Sequence, residues 1–194
     1  MSSIDIQPLV DRLMAGEPVV FPTDTLPALA CRPQDAASIW ALKQRPMGKP
    51  LILMGASADE LIAALQQEPP PGWRAMAQLG WPGALTLVLP AQGPVAQALN
   101  PAAGNSLGLR VPAARPAREL LAWTGPLATT SVNRSGEAAC TTAAEVAAEF
   151  PELMRLGPEP WPPGSGQAST VVAWQNQRWK LLRQGAVSVA LADG

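Results

Sequence analysis

Two of the chain's three lysines, Lys43 and Lys49, flank Arg45 in the K-x-R-P-x-x-K stretch that runs directly into the apolar segment PLILM. A planar guanidinium between two ammonium groups suits a polyphosphate, because arginine can clasp two oxygens while the lysines act as point charges. The same cluster could be a solvated patch; the scarcity of lysine elsewhere favours a function. Pro46 disfavours helix at Arg45, which puts Arg45 and Lys49 on the connection into the next strand. Three further segments pair polar side chains with strand ends, where ligands of open α/β folds bind. In FPTDTLPALAC, Thr23, Asp24 and Thr25 leave a strand, and on residue types alone they make a capped turn. In TTSVNRSG, Ser131 and Asn133 alternate on extended chain and can present a hydroxyl and an amide to one ligand. In LGLRVP and KLLRQGA, Arg110 and Arg183 each end an apolar strand, where an arginine needs an anion or an exit to water.

Composition removes whole classes of chemistry. The chain has no histidine, so a Ser-His-Asp triad, a Cys-His pair and a His-bearing metal centre are excluded. A net charge of −1 gives no global attraction for nucleic acid, and any anion site must be local. No G-x-x-x-x-G-K-[ST] loop is present, so anions would be recognised by side chains. Cys31 and Cys140 are widely spaced and read as buried thiols rather than a disulfide or zinc framework. No apolar run is long enough to span a bilayer and the N-terminus lacks a signal peptide's basic start, which predicts a cytosolic protein with no membrane association.

The elements that must position these residues interleave along the chain. Helices are predicted over 7–15, from Asp35 as N-cap through Gln44, over SADELIAALQQ with Ser57 and Glu60 as a capping box, and over WRAMAQLG, ARPARELLAW and TTAAEVAAEF. Strands are predicted at EPVVF, LILM, ALTLVLP, SLGLRVP and PLATTSV, with STVVAW and RWKLLR as a hairpin or as adjacent strands. The alternation predicts a single α/β domain over 1–194, a twisted mixed sheet with helices, antiparallel near its C-terminal end. Residues 157–169, GPEPWPPGSGQAS, are predicted to lack regular structure and to be either a rigid spacer or a lid beside a site.

The quoted segments, in order, resemble the Sua5/YrdC/TsaC family of threonylcarbamoyl-AMP synthases. VVFPTDTLPALAC matches the family's P-T-[ED]-T turn, ALKQRPMGKPLIL its K-x-R, WPGALTLVLP its P-G-x-x-T, and SLGLRVP its G-x-R-x-P. PLATTSVNRSG matches S-x-N, ASTVVAW matches S-T-V-V, and LLRQGAV matches R-x-G. The resemblance implies a YrdC-like (DHBP synthase-like) fold with an open, positively lined cavity. It also implies a nucleotidyltransferase that joins L-threonine, bicarbonate or CO2, and ATP into threonylcarbamoyl-AMP and pyrophosphate, the first step toward N6-threonylcarbamoyladenosine in tRNA. Residue by residue, it implies threonine contacts at Thr25, Ser131 and Ser169. It implies an ATP site from Arg45, Lys49, Thr86, Arg110, Asn133, Thr141 and Arg183, and a polar catalytic tetrad of Lys43, Arg45, Ser131 and Asn133. No protein-held metal is expected; Mg2+ would accompany the ATP.

That chemistry needs no histidine: the amine of threonine adds to CO2, and the carbamate oxygen attacks the α-phosphorus of ATP, so alignment and charge neutralisation dominate. The product would pass to a separate tRNA transferase. Where the family has an aromatic and glycines after the P-T-[ED]-T turn, this chain has Leu26, Pro27, Ala28, Leu29 and Ala30, predicting a reshaped cavity floor. Thr141 stands where the family more often has serine followed by proline. The alternative reading is a diverged, non-catalytic relative that binds nucleotide or RNA in the basic cavity. A carbamoyl-adenylate enzyme with another acceptor is a third, weakened by the absence of the zinc-finger and acylphosphatase-like segments of such enzymes.

Overall fold

The computed structural model describes residues 6–44, 46 and 48–191. Helix α1 (Gln7–Met14) turns Leu9 and Leu13 to one side, as the i, i+4 spacing requires, and the chain reverses at Gly16, whose φ is +83°. Strands β1 (Val19–Phe21) and β2 (Ala28–Cys31) follow as an antiparallel pair. β2 was not among the predicted strands: all four residues of ALAC are buried, and that burial, available only between β1 and a strand a hundred residues later, outweighs the loop signal of Pro27. After a short 3-10 turn at Pro33–Asp35 comes α2 (Ala37–Lys43). Asp35 does not cap it; its carboxylate takes the guanidinium of Arg32 at 2.7 Å, and the N-cap position falls to Ala36. Gln44 ends α2 in the left-handed region at φ 49°.

The chain continues through β3 (Ile52–Met54), α3 (Ala58–Ala63), α4 (Trp73–Gln78), β4 (Leu85–Pro90) and α5 (Pro94–Leu99). Then come β5 (Ser106–Arg110), α6 (Arg115–Thr124), β6 (Leu127–Ser131), α7 (Ala143–Glu149) and β7 (Met154–Arg155). β8 (Thr170–Gln175) and β9 (Arg178–Arg183) close the order as a hairpin. Ser57 caps α3 by accepting the Glu60 N–H at 3.4 Å, and Thr142 caps α7 by accepting the Glu145 N–H at 3.1 Å. Helix α5 and the two-residue β7 carry weak periodic signals and had no counterpart in the sequence reading.

Among the described residues these strands form one mixed sheet in the order β7-β1-β2-β6-β3-β5-β4-β8-β9. Antiparallel pairing is not confined to the C-terminal end. It also joins β1 to β2, β2 to β6 and β3 to β6, because β6 returns between the N-terminal strands. Helices pack on both faces. On one, Val20, Leu29, Leu53, Leu87, Leu109, Ala128 and Val172 meet the apolar sides of α2, α3, α4, α5 and α7. On the other, Val19, Phe21, Ala28, Ala30, Met54 and Leu127 are covered by Leu9 and Leu13 of α1 and by Ala117, Leu120 and Leu121 of α6. This second cover stops part-way along the sheet.

Candidate functional site

Beyond the last covered position, the second face of the sheet is open. Cross-strand partners share a face, so the register Ala30–Thr129–Ile52–Gly108–Val88 runs in one row across β2, β6, β3, β5 and β4. From Thr129 onward that row, with Thr86, Arg110, Ser131, Val171 and Arg183, lines a cavity of about 490 Å³, within the range of small-ligand sites. The neighbouring residues 107 and 109 are leucines buried in the opposite core. Strand periodicity thus sends Leu107 and Leu109 inward and leaves Gly108 and Arg110 on the cavity side. A Cβ at Gly108 would sit 3.5 Å from Ile52 Cγ1 and Thr86 Cγ2, so the glycine keeps the floor low without being sterically required.

Arg110 organises one end. Its residue is only 4% exposed, and its guanidinium donates from Nε to the Gly83 carbonyl at 2.9 Å, from Nη1 to Thr25 Oγ1 at 2.7 Å and from Nη2 to Asp24 Oδ2 at 2.9 Å. Asp24 Oδ1 accepts the Ala113 N–H at 2.8 Å. The anion that Arg110 needed is therefore Asp24, from the T-D-T turn. Burial pulls the Arg110 pKa down, Asp24 opposes that, and the nearby Arg183 charge adds to it; the guanidinium remains protonated. Arg183 also lines the cavity and donates to the Ser169 carbonyl at 3.2 and 2.8 Å, and partial burial lowers its pKa too. Ser169 Oγ lies 2.8 Å from Thr86 Oγ1. Asp24 pairs with Arg110, whereas Arg183 bonds only Ser169 and has no carboxylate partner among the described residues, so the cavity carries excess positive charge at Arg183.

Lys43 is 1% exposed, and donates to Asn133 Oδ1 at 2.7 Å and to the Ser131 carbonyl. Ser131 Oγ donates to the same Oδ1 at 2.7 Å. The K-x-R and S-x-N segments are thus brought together by the end of α2 meeting the end of β6, although Lys43 and Asn133 stand behind Ser131 rather than on the cavity wall. Arg45 lies outside the described residues. Lys49, assigned to the ATP site by the family resemblance, is exposed, because the helix ends at Lys43 and the turn through Pro46 carries Lys49 outward. Thr141 stands apart from the other ATP-site candidates. Its N–H and Oγ1 both donate to the Glu145 carboxylate, at 2.6 and 3.1 Å, and it faces a different cavity.

That second cavity, of about 760 Å³, lies between the start of α7 and the proline-rich segment, with Thr25 on its border. Residues 157–169 form no helix or strand, as expected, yet they are docked. Ser165 N–H donates to the Asp24 carbonyl at 3.0 Å and Gly166 N–H to the Thr25 carbonyl at 3.2 Å. A Cβ at Gly164 would lie 2.2 Å from the Thr25 carbonyl oxygen, so only glycine permits this approach. Gly185 plays the same part beside Ser169, where a Cβ would fall 2.2 Å from the Ala168 carbonyl oxygen. Asp24 as the partner of Arg110, Gly83 as its acceptor, and Gly108 as the floor were not assigned from sequence. Only Gly108 carried a readable signal, its two-residue spacing from Arg110. Cys31 and Cys140 are free and buried, as read from the sequence, and no helix among the described residues is long and apolar enough to cross a membrane.

Residues 11–185 match the Sua5_yciO_yrdC family model, described as "Telomere recombination". The chain is 35% identical over 161 residues to a threonylcarbamoyl-AMP synthase of Stenotrophomonas maltophilia (strain K279a), covering 80% of this chain and 84% of the relative. It is 34% identical over 185 residues to a putative threonylcarbamoyl-AMP synthase of Mycobacterium leprae (strain TN), covering 93% and 83%. The crystal structure of P. abyssi Sua5 complexed with L-threonine superposes with a TM-score of 0.82 at 30% identity over 93% of this chain. This chain spans 54% of that longer protein.

Proposed function

The chain belongs to the Sua5/YciO/YrdC family, and from that premise we propose that it is an L-threonylcarbamoyladenylate synthase, a nucleotidyltransferase acting on ATP, L-threonine and bicarbonate or CO2. The observation that carries the reading is the charge imbalance of the open cavity, where Arg110 is paired with Asp24 and Arg183 lines the wall bonded only to Ser169. A triphosphate restores the balance. The amine of threonine bonds to the carbon of CO2 and releases a proton. The resulting carbamate oxygen then attacks the α-phosphorus, and the P–O bond to pyrophosphate breaks. Arg183 and the hydroxyl of Thr86 line the cavity and would hold phosphate oxygens. Thr25 and Ser131 form the amino-acid end, and Lys43 and Asn133 hold Ser131 in place.

Mg2+ fits as a passenger on the triphosphate rather than as a protein-held ion. Asp24, the carboxylate near the cavity, already bonds Arg110 and the Ala113 N–H, and no cluster of three metal-ligating side chains occurs among the described residues. Bound in that way it would neutralise phosphate charge. The product, a reactive mixed anhydride, would be consumed by a separate transferase that acts on tRNA.

Pyrophosphate release from purified protein given ATP, bicarbonate and single amino acids tests the proposal. Release that depends on L-threonine is the expected result; ATP or RNA binding without turnover would favour a non-catalytic nucleotide-binding relative. Lys43→Ala and Arg45→Ala should each lower turnover by more than about tenfold. Parental activity in both would remove the site assignment.

A further inference from the structure

A hydroxyl donates one proton and accepts two, so the partners of a buried hydroxyl decide what it can still offer a ligand. Thr23 Oγ1 lies 2.7 Å from the Leu26 carbonyl oxygen. A carbonyl only accepts, so the Thr23 proton is committed there. Thr23 Oγ1 also accepts the Thr25 N–H at 3.1 Å and lies 3.0 Å from Thr25 Oγ1. With the one Thr23 proton used, that last contact runs from Thr25 to Thr23. Thr25 Oγ1 meanwhile accepts from Arg110 Nη1 at 2.7 Å. Its proton and one lone pair are taken, and a single lone pair is left for the cavity.

An independent network brings Ser131 to the same state. Asn133 Nδ2 donates to the carbonyls of Arg134 and Glu137 at 2.8 and 2.9 Å, which fixes the amide with Oδ1 toward Lys43 and Ser131. Oδ1 only accepts, so the Ser131 proton goes to it, across 2.7 Å. Both lone pairs of Ser131 Oγ remain. Thr25 and Ser131 line the same cavity, whereas Thr23 is buried and lines none of it.

We propose that Thr23 and Asn133 are positioning residues that lock Thr25 and Ser131 as hydrogen-bond acceptors, making this end of the cavity a subsite for an N–H donor, the amino group of the amino-acid substrate. The assignment of that group rests on the proposed reaction; the locked polarity does not. A hydroxyl without such an acceptor can swing its proton into the cavity, and it must give up that freedom before it can accept from the donor. Thr23→Val removes the acceptor that holds the Thr25 proton with little change of shape, and Thr23→Ser keeps it.

Two measurements test this. In pyrophosphate-release kinetics, Thr23→Val should raise the KM for L-threonine about tenfold with kcat within about threefold, while Thr23→Ser stays within about threefold of the parent in both. An unchanged KM in a Thr23→Val protein that melts as a folded domain would overturn the proposal. In hydroxyl-proton NMR of the parent protein without ligand, Thr25 should show a slowly exchanging proton directed at Thr23, and a proton directed into the cavity would overturn it. A parent with no threonine-dependent turnover would defeat the proposed reaction and the amine assignment with it. The NMR result would then decide the locked polarity alone, as it would if Thr23→Val failed to fold.

Discussion

One face of the sheet is roofed at one end and open at the other, and the residues change type where the roof stops. Under α1 and α6 that face carries Val19, Phe21, Ala28, Ala30 and Leu127. Past the roof it carries Thr86, Val88, Gly108, Arg110, Thr129 and Ser131. Strand β6 crosses the boundary within a few residues, reading Leu127, Thr129, Ser131 on one side, since alternate positions share a face. A hydroxyl under a helix with no partner would cost more than it returns. In the open half each finds one: Thr129 donates to the Ile52 carbonyl at 3.1 Å and Thr86 pairs with Ser169 at 2.8 Å. The same backbone alternation therefore builds core or site according to what lies above it.

The comparison can be broken first in the roofed half. Phe21 is fully buried, and Phe21→Ala should cost about 3–5 kcal/mol in denaturant unfolding with no change in KM for ATP, because the cavity is not its neighbour. In the open half, Arg110→Ala should cost about 3 kcal/mol by stranding Asp24, and in addition lower turnover by about a hundredfold. A pure stability loss there would mean that the open half is only core with a gap. Gly108→Val sharpens the distinction, since its Cβ is accommodated at 3.5 Å but the rest of the side chain enters the cavity. Turnover should fall more than about tenfold while the melting temperature holds.

The opposite, fully covered face supplies the smallest effect. Burial foremost, then Asp35, pushes the Cys31 thiol up to about 12, against a Ser38 hydrogen bond and Arg32, from 9.0. The unfolded chain therefore releases a proton that the folded one keeps, and the contribution of Cys31 to stability, complete below pH 9, is lost as pH rises toward 12. Stability should drop by about 1 kcal/mol more between pH 9 and 10 in the parent than in Cys31→Ala. Equal slopes would show that water reaches the thiol.

Most helices were legible because amphipathic spacing and caps are local: the helical spacing over 7–15, which sets Leu9 with Leu13, and Ser57 with Glu60. Strand β2 was not, because ALAC gains its burial only between β1 and β6, and the apparent cap Asp35 was drawn off by Arg32. The site was legible as a set of residues and not as a set of contacts. Arg110 was read as lacking an anion and Asp24 as a turn former, and nothing in either local sequence joins positions 86 residues apart. Of the cations in the K-x-R-P-x-x-K stretch, Lys43 is buried and Lys49 exposed, since one turn of chain decides whether a cation faces protein or water.

From sequence alone came the exclusion of histidine chemistry, the alternation of helix and strand, and the segments that carry polar groups at strand ends, all consequences of composition and short-range periodicity. The tertiary structure decided which half of one sheet face is left open, that Asp24 is the carboxylate paired with Arg110, and which way the protons of Thr25 and Ser131 point. Those depend on hydrogen bonds and strand pairings between segments far apart in the chain, and partners of that kind are fixed only when the sheet closes.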